Sequence, residues 1–132
     1  MKADELMIGD YVLFHHRPFL VKGLTLSGNV FVTGDLLDVK DDIEPIPLTI
    51  DTMEKNGFNE IDSYSDCYRS FYKEFNEGGE QYCLIRFYSD GLIMIHAGDD
   101  KRPSKEINKP INHIHELQHA LKEVGIKTTT KI

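Results

Sequence analysis

Three strand-like segments lie one after another in the second half of the chain, and a turn separates each from the next. They are Cys67 to Phe75, Gln81 to Tyr88 and Leu92 to Ala97. Asp90-Gly91 stands between the second and the third, and Asp-Gly between two apolar runs is a strong signal for a β-hairpin. Strands joined by short turns pair antiparallel, so this pattern predicts a three-stranded meander.

The middle segment is apolar on both of its alternations: Cys83, Ile85 and Phe87 on one, and Tyr82, Leu84 and Tyr88 on the other. This predicts that both faces of the meander are covered, one by the C-terminal helix and one by the N-terminal part. Aromatic residues crowd the same sheet and are predicted to be mostly core; they are Tyr64, Tyr68, Phe71, Tyr72, Phe75, Tyr82 and Tyr88. Several exposed tyrosines would instead make a protein-binding face.

The first third of the chain contains short strand-like segments separated by breakers. Tyr11 to Phe14, Phe19 to Leu26 and Val30 to Thr33 are rich in β-forming residues, and Ser27-Gly28-Asn29 is a turn. A further segment, Ile43 to Leu48, is held extended by its two prolines. Several short strands within about 48 residues predict a small SH3-like β-roll.

Two helices are predicted. The first begins after Thr49, whose side chain suits an N-cap, and ends at Gly57. The last helix runs from about Ile111 to Val124, with Pro110 at its start and Gly125 at its end.

The connecting segments Asn59 to Asp66 and Lys101 to Lys109 are polar and are predicted as loops. Together the elements predict an α+β fold in which the C-terminal helix packs on the meander. The predicted domains are a β-roll subdomain, residues 1–48, and an α+β subdomain, residues 49–132. The alternative is one compact domain of residues 1–132.

The charge balance limits the classes of partner. Fifteen Lys and Arg stand against 22 Asp and Glu, which gives a formal net charge of −7. Proteins that bind nucleic acid usually concentrate Lys and Arg, so a nucleic-acid partner is disfavoured. The N-terminal sequence lacks the apolar region of a signal peptide, and the longest apolar run, Leu92 to Ile95, is too short to cross a bilayer. The expectation is a cytoplasmic protein with no membrane partner.

Cys67 and Cys83 both lie in strand-like sequence. Because no export signal is visible, they are predicted to be reduced core residues rather than a disulfide. A redox pair is the alternative if the two strands are neighbours.

The sequence HELQH near the C-terminus matches the H-E-x-x-H pattern of zinc peptidases. In that pattern two histidines four residues apart bind zinc and the glutamate activates a water molecule. His115 and His119 would be the metal ligands and Glu116 the catalytic base.

Two features of the helix argue against this interpretation. A helical wheel places His115 and His119 on the water-facing side, opposite an apolar stripe of Ile114, Leu117, Ala120, Leu121 and Val124. A third ligand is also missing, because Glu123 lies about 12 Å from His115 along the helix axis. His96 or Asp99 would have to supply it from upstream. His96 could also form an acid–base pair with Asp99 or Asp100, which follow the end of its predicted strand.

Three segments of the chain resemble a family of small uncharacterised bacterial proteins. They are MKADELMIGDYVLF at the start, DIEPIPLTIDTMEKNGF in the middle and IHELQHAL near the end. The family is associated with gut anaerobes and with their prophages and mobile elements. In that family the position of His119 is commonly Asn, which implies that the second zinc ligand is not a family feature. The resemblance implies no activity and no functional residue.

These observations favour a non-enzymatic binding or accessory protein of a phage or mobile element, with a protein as its partner. No catalytic constellation other than HELQH is visible, and no cofactor is predicted. One alternative is a zinc-dependent hydrolase that uses His115, Glu116 and His119. A second alternative is a nucleic-acid adaptor that acts through the SH3-like roll.

Overall fold

The computed structural model describes residues 6–14, 17–24, 30–32, 38–39, 43–61, 66–76, 78–101, 106–127 and 130. The chain divides into two compact units. The first holds residues 1–47 and 113–115, and the second holds residues 48–112 and 116–132. The turn predicted at residues 27–29 and the aromatic Tyr64 lie outside the described residues.

In the described residues, the first unit has the strands β1 (Tyr11–Phe14), β2 (Arg17–Leu24), β3 (Val30–Val32), β4 (Asp38–Val39) and β5 (Ile43–Pro45). Their order is β4-β3-β2-β1-β5, and every pairing is antiparallel. The register of β2 against β3 shifts between Val21 and Gly23, which marks a β-bulge. Val12, Val21 and Ile43 are buried, so apolar side chains of β1, β2 and β5 contribute to the core.

The first helix, α1 (Ile50–Lys55), begins and ends where the sequence predicts. The Thr49 side chain accepts a hydrogen bond from a first-turn backbone N–H at 3.3 Å and so caps the helix. Gly57 has a φ of +81°, the left-handed conformation that ends many helices. The Phe58 backbone N–H then donates to the Met53 carbonyl, and both of these residues are buried.

The second unit contains a five-stranded antiparallel sheet in the order β10-β9-β8-β7-β6. The strands are β6 (Asn59–Ile61), β7 (Tyr68–Glu74), β8 (Gln81–Tyr88), β9 (Ile93–Asp99) and β10 (Ile107–Pro110). The predicted meander is confirmed as the three central strands. Gly91 has a φ of +94° between β8 and β9, so Asp90-Gly91 forms the predicted hairpin turn.

Three predictions about this unit are wrong. The two segments predicted as loops contain β6 and all but the last residue of β10, the outer strands of the sheet. Both strands are polar and mostly exposed, so they lack the apolar alternation by which a strand is recognised in a sequence. Pro110 ends β10 instead of starting a helix, and the last helix, α2, runs only from Ile114 to Glu123.

The register assigns each side chain of β7, β8 and β9 to one of two faces, because directly paired residues point to the same side of a sheet. At the centre of the core face lie Phe71, Cys83, Ile85, Ile95 and Ala97, all 0% exposed, and the same face also carries Arg69, Lys73, Phe87 and Ile93. The predicted apolar stripe of α2 is also buried, at Ile114, Leu117, Ala120, Leu121 and Val124.

The architecture is α+β, as predicted, with antiparallel sheets and two helices in the described residues. None of the helices in this part of the chain has the length and apolar character needed to cross a membrane.

Candidate functional site

His115 is buried, which corrects the prediction that it faces water. Only 6% of the residue is exposed. Residues 46–47 border the start of α2: the Ile114 N–H donates to the Ile46 carbonyl at 2.9 Å, and Pro47 forms a β-bridge with His113. A helical wheel contains only the helix itself, so it could not show that other parts of the chain also cover the first turn.

The potential metal ligands at this point of the chain differ from the predicted set. His113, His115 and Glu116 each offer one ligand atom, and these atoms all lie within 4.8 Å of one another. The two histidine rings stack with their centroids 5.6 Å apart and their planes 10° from parallel. In the described part of the chain, no group of three potential ligands includes His119, which is half-buried.

Glu116 also has a structural role in this group. Its Oε1 accepts a hydrogen bond from the Asn112 backbone N–H at 3.1 Å, which satisfies a donor at the start of the helix. Ligand atoms around one zinc ion lie within about 4 Å of each other. The side chains of the group would therefore have to close by up to about 1 Å to share a zinc ion.

His96 and Asp99 lie on opposite faces of β9, because they are three residues apart in one strand. The Nε2 of His96 forms a hydrogen bond with the Glu106 carboxylate. The Asp99 carboxylate instead accepts hydrogen bonds from Gln81 Nε2 at 3.2 Å and from the Lys101 backbone N–H at 3.0 Å. The predicted acid–base pair of His96 with Asp99 is therefore wrong. Neither residue belongs to the group formed by His113, His115 and Glu116. The other histidines near the N-terminus, His15 and His16, lie outside the described residues.

The two cysteines are not joined by a disulfide. Cys83 lies in the core face, and burial raises the pKa of its thiol. Cys67 is exposed, contrary to the prediction that it is core, because it lies in the turn just before β7. Cys83 pairs with Lys73, six residues further along β7, which separates the thiols by about 20 Å and makes the redox pair wrong.

The other face of the second sheet holds four half-buried tyrosines: Tyr68 and Tyr72 on β7, and Tyr82 and Tyr88 on β8. We call it the tyrosine face. Its other members are Asn59, Ile61, Ser70, Glu74, Leu84, Arg86, Met94, His96, Gly98, Asn108 and Pro110. The prediction that both faces are covered is wrong here, since Leu84 and Met94 are also half-exposed. Tyrosine tolerates such a position because its ring is apolar and its hydroxyl polar.

The aromatic side chains of the tyrosine face form contacts at both of its ends. Tyr68 and Tyr88 lie with their centroids 5.2 Å apart, and the guanidinium carbon of Arg86 lies 4.9 Å from the Tyr68 centroid. This distance is typical of a cation–π contact. Towards the other end, Tyr82 meets the His96 ring edge-to-face at 5.6 Å.

Tyr72 and Tyr82 keep their phenol protons at neutral pH. Burial raises the pKa of both side chains, and nearby carboxylates add to the effect, Glu74 for Tyr72 and Glu106 for Tyr82. The Tyr72 hydroxyl also donates a hydrogen bond to Glu74 at 3.3 Å. Both phenols are therefore hydrogen-bond donors on a largely aromatic surface, and the single proton of Tyr72 is already given to Glu74.

A groove of about 180 Å³ crosses this face, lined by Leu84, Arg86, Tyr88, Met94, His96 and Asn108. Within the described residues, no carboxylate forms an ion pair with Arg86. Its Nε atom is buried and has no hydrogen-bond partner there. The groove thus combines apolar walls with a guanidinium whose donors are not all satisfied.

Sequence reasoning missed Arg86. The signal is its place on β8 between Leu84 and Tyr88, where a charge interrupts an apolar alternation. The stacking of Arg86 on Tyr68 depends on the register between β7 and β8. The sequence does not show which residues of two neighbouring strands lie opposite each other, so this contact could not be predicted.

No protein-family model, curated protein or solved structure matches this chain. Membership of the phage-associated family stays a prediction.

Proposed function

We propose that this chain is a non-enzymatic protein-binding module and that the tyrosine face is its contact surface. The observation that supports this is the gathering of four tyrosines, Leu84, Met94 and Arg86 on one half-exposed side of a sheet. Tyrosine and arginine are enriched at protein interfaces, where they provide large contact areas with polar tips. Contiguous apolar surface of this kind commonly marks an interaction site.

The rest of the second unit would hold that surface rigid. We propose that α2 packs on the core face, since Leu117 and Leu121 line the same small cavity as Lys73 and Phe75. A sheet that is fixed from one side loses less conformational entropy when its other side binds. For the first unit we propose the SH3-like roll that its short antiparallel strands suggest.

In its biological setting we propose a cytoplasmic accessory protein of a phage or mobile element. The formal net charge of −7 disfavours a phosphate-rich partner. A protein partner therefore fits the chain better than the nucleic-acid adaptor that was the second alternative.

Photocrosslinking tests the contact surface. A photoreactive amino acid replaces Leu84 on the tyrosine face or, as a control, the exposed Lys122 on α2. A protein crosslinked from Leu84 alone would be identified, purified and titrated with the wild-type chain and with the Tyr88→Ser and Lys55→Ala variants. We expect Tyr88→Ser to weaken binding by about tenfold or more and Lys55→Ala to leave it unchanged. Equal crosslinking from both positions, or equal affinity of both variants, would contradict the proposal.

We propose a metal site as the second candidate function, because His113, His115 and Glu116 bring three potential ligands together, two imidazoles and one carboxylate. The test is the zinc content of protein purified without a His-tag or chelator. His113→Asn should lose the metal, whereas His119→Asn should keep it. Loss in His119→Asn would point instead to the pair of the H-E-x-x-H pattern and to the zinc hydrolase. No zinc in the wild-type protein, even after incubation with zinc, would exclude both.

A further inference from the structure

We infer that the groove of the tyrosine face recognises an acidic side chain, Asp or Glu, of a protein partner through the guanidinium of Arg86. This inference rests on the proposed function, because it names the chemistry that the same surface would bind.

Arg86 is held in position by its neighbours on β7. The residue directly opposite it is Ser70, which is small and 3% exposed, and this leaves room for the long arginine side chain. The guanidinium carbon then lies 4.9 Å from the ring of Tyr68. Stacking restricts the guanidinium before any partner arrives, so less side-chain entropy is lost on binding.

The surroundings of Arg86 contrast with those of Arg69, on the opposite face of the same sheet. Arg69 is paired with the Glu60 carboxylate at 2.6 Å. Arg86 has no such ion pair within the described part of the chain, and its buried Nε–H donates to no acceptor there. A half-buried guanidinium without an acceptor is unfavourable, so a carboxylate that reached its Nη groups would stabilise this residue in particular.

The charges around the groove select a carboxylate. The other titratable base in the lining, His96, already has Glu106 as a hydrogen-bond partner. Arg86 is then the one fixed positive charge of the lining, which matches a single carboxylate rather than the double charge of a phosphate. The two-pronged geometry of a guanidinium suits a carboxylate and a phosphate alike, so the single charge is the feature that favours the carboxylate.

The apolar walls of the groove indicate a protein as the source of that carboxylate. Leu84 and Met94 flank Arg86 on the tyrosine face, Leu84 on its own strand and Met94 directly opposite on β9. A small carboxylate such as acetate would leave these side chains uncovered. An acidic residue with apolar neighbours in a protein segment would satisfy Arg86 and cover the walls together.

A display library of random peptides tests the inference. It would be selected on the wild-type chain, and binders would be mapped by NMR to the groove. We expect them to share one Asp or Glu. Changing that residue to Gln or Asn in a synthetic peptide should weaken binding by at least about tenfold. Arg86→Gln in the chain should cause the same loss of affinity. The two changes made together should weaken binding little more than either one alone, which in a double-mutant cycle shows that the two residues interact. Arg69→Gln is the matched control and should have no effect.

The outcomes separate this inference from the proposed function. Peptides that bind the groove but share no acidic residue would overturn this inference and leave the proposed function standing. The same holds if the affinity losses of the two substitutions simply add in the double-mutant cycle. The absence of any binder to the tyrosine face would count against the proposed function as well. If acetate displaced the peptide as effectively as a second peptide does, the groove would be a site for a free carboxylate. If two copies of this chain paired through the groove, its occupant would be a second copy. Either result overturns the inference. The peptide substitution keeps the test valid even if Arg86→Gln does not fold.

Discussion

The two faces of the second sheet are made by the same strands but differ in how their side chains are used. On the core face, Phe71, Ile85 and Ile95 are completely buried. On the tyrosine face, the tyrosines, Leu84 and Met94 are each only half-buried. A solvent-facing side of an antiparallel sheet is usually polar, so aromatic residues there are not explained by solubility. The difference indicates that the core face supplies most of the stability, and it motivates the proposal that the tyrosine face contacts a partner.

The largest difference that we expect between exposed and core positions of the second unit is in the reaction rates of its two thiols. In the native protein, Cys67 should react promptly with a disulfide reagent. Cys83 should react at least about a thousandfold more slowly, because its reaction requires the core face to open. Burial also raises the pKa of Cys83 and so suppresses the thiolate. A Cys67→Ser variant should show no fast phase at all, and equal rates for both thiols would mean that the core face is not closed.

The second prediction compares neighbours on β7 that point to opposite faces. Phe71→Ala should lower the free energy of unfolding by about 3–5 kcal/mol, since it leaves a cavity in the core face. Tyr72→Ala should lower it by only about 1 kcal/mol. Urea unfolding followed by circular dichroism measures both. Similar losses would show that the two faces contribute equally to stability and would break the comparison.

The smallest effect is the alkaline titration of the tyrosine face. Tyr72 should titrate above the ordinary phenol value of about 10, because burial and Glu74 raise its pKa. A raised pKa favours the protonated phenol in the folded state, so this stability is present below the unfolded pKa and is lost as pH rises through the folded one. The titration curve of Tyr72 is the phenolate absorbance of the wild-type protein minus that of the Tyr72→Phe variant, measured as a function of pH. Glu74→Gln should move it towards the ordinary value, and a Tyr72 that titrates at or below that value would contradict the burial of its ring.

The central strands could be predicted because each carries its own signal. Gln81–Tyr88 is bounded by turns, and Asp90-Gly91 fixes the hairpin that follows it. The outer strands have no such signal: Asn59–Ile61 is exposed throughout, and its strand conformation comes from pairing with β7. Tertiary hydrogen bonding there overrides a polar local sequence.

The candidate sites show the same division. The identity of the tyrosines was visible in the sequence, and so was the possibility that they form a binding face. Their common side depends on the register of β7 against β8, which the sequence does not state. The burial of His115 was missed for a similar reason, because it depends on parts of the chain outside the helical wheel.

The separation of the two faces has a consequence for how such a chain can change over evolutionary time. Substitutions on a half-exposed surface usually alter stability by little, whereas those on the core face are strongly constrained by packing. The outer strand β10 ends in Pro110, which has no backbone N–H to offer to an added strand. At this edge of the sheet, the proposed recognition would therefore depend on side chains above the strands rather than on an added strand. A few replacements among the tyrosines and Arg86 could then redirect the protein to a new partner while the scaffold stays the same.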